Sequence, residues 1–277
     1  MGRILSYETR LPHPALRPFI KSYYLLRYSD EGGLGYTYDC IPNGYPDIFV
    51  PRRGLFEFER GTGLAHCSDP LIVGQIERTH RVGFAGDMEL FGITFNPCGL
   101  TALVTRGVAE LADSIIPLAE VDGRLARALA ERVHCPTSLS LASFAKSMDA
   151  LFGRLAEDHR LATAWLLPMT NLMQSSSGLM PVGYYLERMD VSRRRVEEVF
   201  HVEIGCAPKT LLRMFRFTRF IEICESGKEG SLTMLAAELS MTDQAHLAHE
   251  IKRITGFKPS QYFDHISTTW GYPGRPS

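Results

Sequence analysis

The spacing of apolar positions changes once along the chain, near Pro97. Before that point, short runs rich in β-branched and aromatic residues recur at Tyr36–Ile41, Asp47–Val50, Leu71–Val73 and Leu90–Phe95. Turn-forming groups separate them: Asn43-Gly44, Arg53-Gly54, Gly61-Thr62-Gly63 and Ala85-Gly86-Asp87. Short strands at this spacing predict a small barrel or sandwich, and Asn43-Gly44 reads as a hairpin turn. Pro14–Ile20 reads as a short helix ahead of the first long strand. From Leu100 onward the period is helical: Leu125, Leu129 and Val133 recur at intervals of four, and Leu141, Ala145 and Met148 continue the pattern. Gln174-Ser175-Ser176-Ser177-Gly178 is small and polar between apolar helical segments, so the boundary between domains is placed there.

Two segments beyond that boundary share one plan. In the first, Leu179–Met189 forms an amphipathic helix and Asp190-Val191 the turn. Ser192 then caps a second helix, Arg193–Glu203, whose buried stripe is Val196, Val199 and Phe200, and Gly205 ends it. In the second, Ser231 caps a helix through Glu238 and Leu239–Thr242 turns the chain. A further helix runs from about Asp243 to Ile254, with Leu247, Ile251 and Ile254 inward and Gly256 as its stop. Pro208 opens a long helix between them that ends near Gly227, in keeping with proline at a first helical position and glycine beyond the last. Helix, short turn, helix is the plan of a DNA reader, and a rigid spacer close to one DNA turn would let both units enter the major groove on one face.

Charge sharpens this reading. The 277 residues carry a net charge of −1, with 45% hydrophobic and 22% charged residues, the balance of an ordinary folded protein. Between Arg188 and Arg219, however, eight Lys and Arg residues face four Asp and Glu, a local basic stripe on a neutral chain. No apolar run approaches the ~20 residues of a membrane helix, and the first residues lack a signal-peptide core, so a cytoplasmic location is expected. The six cysteines (Cys40, Cys67, Cys98, Cys135, Cys206, Cys224) include no C-x-x-C pair, which points to reduced thiols and not to zinc or redox chemistry. His246-x-x-His249 has the spacing of a metal pair without further ligands nearby. No metal and no cofactor are expected.

The C-terminal region resembles the AraC/XylS family. The resemblance is carried by Ser192-Arg193-Arg194-Arg195-Val196-Glu197-Glu198-Val199-Phe200, by Gly205-Cys206-Ala207-Pro208-Lys209-Thr210-Leu211-Leu212-Arg213 with Arg216-Phe217, by Asp243-Gln244-Ala245-His246-Leu247, and by Thr255-Gly256-Phe257-Lys258-Pro259-Ser260-Gln261-Tyr262-Phe263. It implies a double helix-turn-helix over about residues 179–266. Its groove-facing positions would be Arg194, Glu197 and Glu198, beside Arg193, in the first unit. In the second they would be Gln244, Ala245 and His249, with Thr242 and His246 next to the backbone. Arg suits guanine O6 and N7, Gln suits adenine N6 and N7, Glu accepts from cytosine N4, and Ala meets a thymine methyl. Two positions depart from the family. Glu198 stands where a basic residue is common, and Ser240 where a glycine is, in a turn that needs positive φ.

The runs Ile41–Phe49 and Phe91–Gly99 are similar to the β-rich domain that precedes this region in part of the family, which implies a sensing or dimerising role. Tyr38, Phe49, Phe91 and Phe95 would either line a pocket for an organic effector or fill the barrel. A rival reading is a cupin-like metal enzyme using His13, His66 and His80. The His-x-His pattern with a neighbouring Glu is absent, as are the common nucleophile, zinc-protease and nucleotide motifs. A third is a regulator that works through protein contacts alone. The expected fold is therefore α+β: a small β-barrel-like, cupin-like domain over residues 1–110, a helical connector over 111–174, an all-α double helix-turn-helix domain joined by a long helix over 179–266, and a tail over 267–277. The expected function is non-enzymatic, sequence-specific regulation of transcription, with activation implied by the resemblance. Double-stranded DNA is the main partner, and RNA polymerase, a small-molecule effector and a second copy of the chain are candidates.

Overall fold

A computed structural model describes residues 3–30, 36–60, 63–102, 107–134, 139–158, 163–226, 232–259 and 261–262. The order is a β-rich half followed by helices, an α+β architecture. Among the described residues eight strands form one antiparallel sheet: β1 (Arg3–Arg10), β2 (Ile20–Ser29), β3 (Tyr36–Cys40), β4 (Asp47–Arg60), β5 (Gly63–Cys67), β6 (Leu71–Val73), β7 (His80–Phe95) and β8 (Ile115–Pro117). The path runs β1-β2-β7-β4-β6-β8, with β3 added to β7 and β5 to β4. β7, 16 residues long, is the spine. Its second half lies between β2 and the start of β4, and its first half between β3 and the end of β4.

Successive side chains of a strand face opposite sides of the sheet, and here both sides are apolar. Tyr23 and Leu25 of β2, Ile48 and Val50 of β4 and Phe91, Ile93 and Phe95 of β7 pack against α1 (Gly123–Val133) and α2 (Leu141–Asp158). The alternate set, Tyr24, Leu26, Phe49, Phe56, Phe84 and Leu90, closes on itself within the curl of the sheet. There the rings pack on one another, Phe56 lying 5.6 Å from Phe49 and 5.4 Å from Phe84 between centroids. Asp122 caps α1 by accepting from the backbone N–H groups of Arg124 and Leu125.

Several expectations are corrected. The helix expected at Pro14–Ile20 is a single 3-10 turn, Pro14–Leu16, and Ile20 already opens β2. Arg53-Gly54 and Ala85-Gly86-Asp87 are not turns but bulges inside two long strands, where the β4–β7 register slips at Arg53. Gly54 takes φ +92°, and a Cβ there would sit 2.7 Å from the Asp87 carbonyl oxygen, which explains a glycine in mid-strand. Asn43-Gly44 does not join a hairpin either, because β3 and β4 flank β7 from opposite sides and do not pair with each other. The pairing pattern also adds β1, β2, β5 and β8 to the runs visible in the sequence.

The C-terminal helices are α3 (Leu166–Ser175), α4 (Val182–Met189), α5 (Arg193–Glu203), α6 (Pro208–Glu225), α7 (Leu232–Glu238) and α8 (Gln244–Thr255). Leu166, Met169 and Met173 of α3, on the N-terminal side of the polar Gln174–Gly178 segment, share a core with Tyr185, Val196, Phe200, Leu211 and Phe215. A second core joins Phe217, Phe220 and Ile221 of α6 to Leu235, Leu247, Ile251 and Ile254. α6 therefore serves both units from its two ends. Its 18 residues rise roughly 27 Å at about 1.5 Å per residue. The proposed cap Ser231, the helix end near Gly227, Ser260, Phe263 and the tail lie outside the described residues.

The segment between β3 and β4 ties the halves together. Ile41 enters the second helical core and Tyr45 the first, its ring 5.7 Å from that of Phe215. Asn43 Oδ1 accepts from the Tyr45 N–H at 2.8 Å, and Gly44 takes φ +83° with no room for a Cβ, which would meet Phe215 Cε1 at 2.8 Å. Beneath this segment Thr94 donates to Asp47 Oδ1 at 2.7 Å, and Lys21 Nζ lies 3.4 Å from the Tyr45 ring centroid. Burial pushes the Asp47 carboxyl up to about 7, against the lowering effects of Thr94 and Lys21. Burial likewise lowers Lys21 to about 8, opposed by Asp47 and by Glu222 of α6.

Candidate nucleic-acid interface

In the first unit α4 ends at Asp190, whose φ of +49° turns the chain toward α5. Ser192 caps α5 by accepting from the Arg195 N–H at 3.3 Å. With Val196, Val199 and Phe200 buried, the helix period leaves Arg193, Arg194, Glu197 and Glu198 on the exposed face. Arg194 Nε donates to Glu198 Oε1 at 2.9 Å, one turn along, and the Arg194 side chain is 90% exposed. The acidic residue at position 198 thus occupies the guanidinium that is best suited to a guanine edge.

In the second unit Ser240 takes φ +53°, the positive value that a glycine would supply without strain. Asp243 caps α8, its Oδ1 accepting from the His246 N–H at 2.8 Å. Leu247, Ile251 and Ile254 are buried, and Thr242, Gln244, Ala245, His246 and His249 are exposed. Gln244 Oε1 accepts from the Thr233 hydroxyl at 3.4 Å, a long bond that leaves the side-chain amide N–H groups for another partner.

Of the nine predicted contact residues the structure brings one from each unit to a common cleft. A cleft of about 440 Å³ separates the units, and Arg193 from α5 and His246 from α8 both line it. Lys209, Arg213 and Arg216 of α6 and Arg253 of α8 share the wall, with Glu250 as its acidic member. Glu250 pairs with Arg213 at 3.5 Å and lies 3.9 Å from Arg253, while Arg216 donates to the Gly178 carbonyl at 2.9 Å. Burial lowers the pKa of both Arg213 and Arg216, and Arg253 adds to this at Arg213; both remain cations at neutral pH. The basic stripe read from the sequence includes Lys209 and Arg213 but not Arg253, because the approach of α8 to α6 is a tertiary fact.

The far ends of both exposed helices are held by the β-rich half. Thr79 donates from its N–H and its hydroxyl to the Ile254 carbonyl, at 2.9 and 3.0 Å, near the end of α8. The Thr101 hydroxyl donates to the Glu203 carbonyl at the end of α5, and Gly205 packs on Val108. The histidines considered for a metal site are dispersed: His13 accepts from Ala15 N–H, His66 pairs with Glu57 and His80 with Asp113. Among the described residues no group of three or more His, Cys, Asp or Glu side chains is placed to hold a metal ion, and no helix is long and apolar enough to cross a membrane.

Comparison with known proteins adds the following. Residues 8–117 match the family model of a domain of unknown function (DUF6597), which corresponds to most of the sheet. No curated protein matches the sequence. Among solved structures the chain is similar to ToxT from Vibrio cholerae at 12% identity and a TM-score of 0.47, over 94% of this chain and 98% of that one. It is similar to the same protein bound to (E)-4-(8-methylnaphthalen-1-yl)but-3-enoic acid at 12% identity and a TM-score of 0.48, over 94% and 99%. The AraC-like transcriptional activator CuxR is similar at 14% identity and a TM-score of 0.27, over 77% of this chain and 86% of that one.

Proposed function

We propose that this protein is a transcriptional regulator of the AraC/XylS type that reads duplex DNA with α5 and α8. The observation that carries this reading is the pairing of two capped helix-turn-helix units on one rigid helix, each presenting a polar face. α6 is shorter than the ~34 Å between successive major-groove segments, so the duplex or the spacing of the two units has to adjust for both helices to enter it at once. Gln244 and Ala245 would read an A·T-containing step, and Arg194 with Glu197 a G·C-containing one. His249 would reach a base edge, and Thr242, His246 and Arg193 the flanking backbone. Glu198 competes with DNA for Arg194, so the second unit supplies most of the sequence preference.

The test is a titration of the full-length chain against a random-sequence duplex pool at about 50 and about 200 mM salt, with sequencing of the retained fraction. The expected result is an enriched motif spanning two adjacent major-groove segments, with binding lost steeply at the higher salt. No retention at either salt would overturn the reading in favour of a regulator acting through protein contacts.

A further inference from the structure

Resting on that DNA-binding reading, we propose that the cleft between the two units is a seat for the DNA sugar-phosphate backbone where it crosses from one major-groove segment to the next. Two helices entering successive major grooves on one face of a duplex straddle a minor groove, and the phosphates bordering it must pass between them. The space between α5 and α8 is lined by Met180, Pro181, Val182, Gly183 and Leu212 together with a set of basic side chains. It is an open cleft of about 440 Å³ in which five Lys and Arg side chains face one carboxylate.

The placement of two of those cations points to an anion independently of their number. Arg193 stands in the first turn of α5 and Lys209 in the first turn of α6, and neither turn contains an acidic residue. The partial positive charge of a helix N-terminus disfavours a cation there, so both helices carry the wrong sign of side chain for their own stability. An anion between these two ends would interact with both side chains and with both helix termini. Lys209 is exposed, and no described partner holds it.

Glu250 has a consistent role in this arrangement. It lies between Arg213 and Arg253, whose like charges would otherwise face each other unshielded. By pairing with both it holds the two guanidiniums at the cleft wall in the absence of ligand. The outer cations, Arg193, Lys209 and Arg253, then meet the phosphates, and Arg213 stays with the carboxylate. These contacts are to phosphate alone, so they strengthen binding to every sequence alike and contribute nothing to the choice of base.

The experiment compares full-length wild type, Lys209→Gln, Arg253→Gln and Gln244→Ala on the enriched duplex and on an unrelated one across a salt series. The same series is repeated on an enriched duplex with neutral methylphosphonate links between the two half-sites. Lys209→Gln removes a cation from a helix start, so it leaves folding intact, and a thermal melt of each variant checks this. Each cleft variant should reduce the slope of log K against log salt by about one and weaken both duplexes equally, with the enriched motif unchanged. The methylphosphonate links should weaken wild type, and add little to the loss already present in the cleft variants. Unchanged slopes in both cleft variants, with Gln244→Ala still altering the motif, would overturn the phosphate seat and leave the DNA reading in place. Failure of wild type to bind any duplex would overturn both. Equal competition by inorganic phosphate at matched ionic strength for wild type and Gln244→Ala, but none for Lys209→Gln, would reassign the cleft to a free anion.

Discussion

The two helix-turn-helix units solve the same geometric problem with different chemistry. Each needs one residue of positive φ between its helices, and neither uses glycine: the first places Asp190 at φ +49° and the second Ser240 at φ +53°. Asp is among the side chains that tolerate this region, whereas Ser is not, so the second turn is the more strained. The outer face of α5 is almost wholly charged, whereas α8 begins with the exposed Gln244, Ala245, His246 and His249 and carries its cations, Lys252 and Arg253, in its last turn. On the proposed reading the first unit would contribute salt-dependent attraction, reduced by its internal ion pair. The second would contribute the hydrogen bonds that discriminate between bases. The comparison teaches that two units of one plan need not divide affinity and specificity equally.

The largest effect that sharpens this contrast lies in the two cores. Phe200 is fully buried in the first and Ile251 in the second. Phe200→Ala should cost roughly 3–5 kcal/mol and Ile251→Ala about 2–5 kcal/mol by chemical denaturation, since each leaves a cavity as well as losing burial. A loss below 1 kcal/mol for either would mean that its unit is not packed as described. The next effect is read in pH. With its carboxyl raised to about 7, Asp47 binds its proton more tightly in the folded chain than in the unfolded one. The stability this confers is complete below about 4, the ordinary Asp value, and is lost as pH rises through about 7. Asp47→Asn should flatten that slope in a series of melts, and an unchanged slope would place its origin elsewhere.

Smaller effects separate the heads themselves. Gln244→Ala should relax base preference at one operator position at a cost of roughly 1–3 kcal/mol, seen as a flattened column in the enriched motif. Glu198→Gln should do the opposite in the first unit. Freed from a pair that contributes at most about 0.5 kcal/mol to the fold, Arg194 becomes available and affinity rises with a steeper salt dependence. Weaker binding by Glu198→Gln would show that the carboxylate itself contacts a base. Ser240→Gly should be the smallest change, stabilising by about 0.5–1 kcal/mol through relief of the positive φ, offset by the entropy of a glycine in the unfolded chain.

How much of this was legible in the sequence follows from the range of the forces involved. The helical units are written in local signals, so Ser192, Pro208 and Gly256 mark helix ends without knowledge of the rest of the chain. The same holds for the exposed faces, because one buried stripe fixes the opposite side. The sheet is harder. Gly54 and Gly86 have the chemistry of turn residues, and only the pairing of β4 with β7 shows that they bend strands that continue. Asn43-Gly44 has the local chemistry of a hairpin turn for the same reason, while its conformation serves Phe215, more than 170 residues away in sequence. The cleft was invisible because Lys209 and Arg253 become neighbours only through the packing of α8 on α6.

Residues 41–46 also bear on how such a chain can be rearranged in evolution or in the laboratory. Ile41 is a core side chain of one helix-turn-helix unit and Tyr45 of the other, although both are encoded with the sheet. A chimera that exchanges everything after Gln174 would leave Ile41 and Tyr45 on the retained loop without the helical cores that receive them. The halves are thus a matched pair, and a hybrid has to move this hexapeptide together with α6.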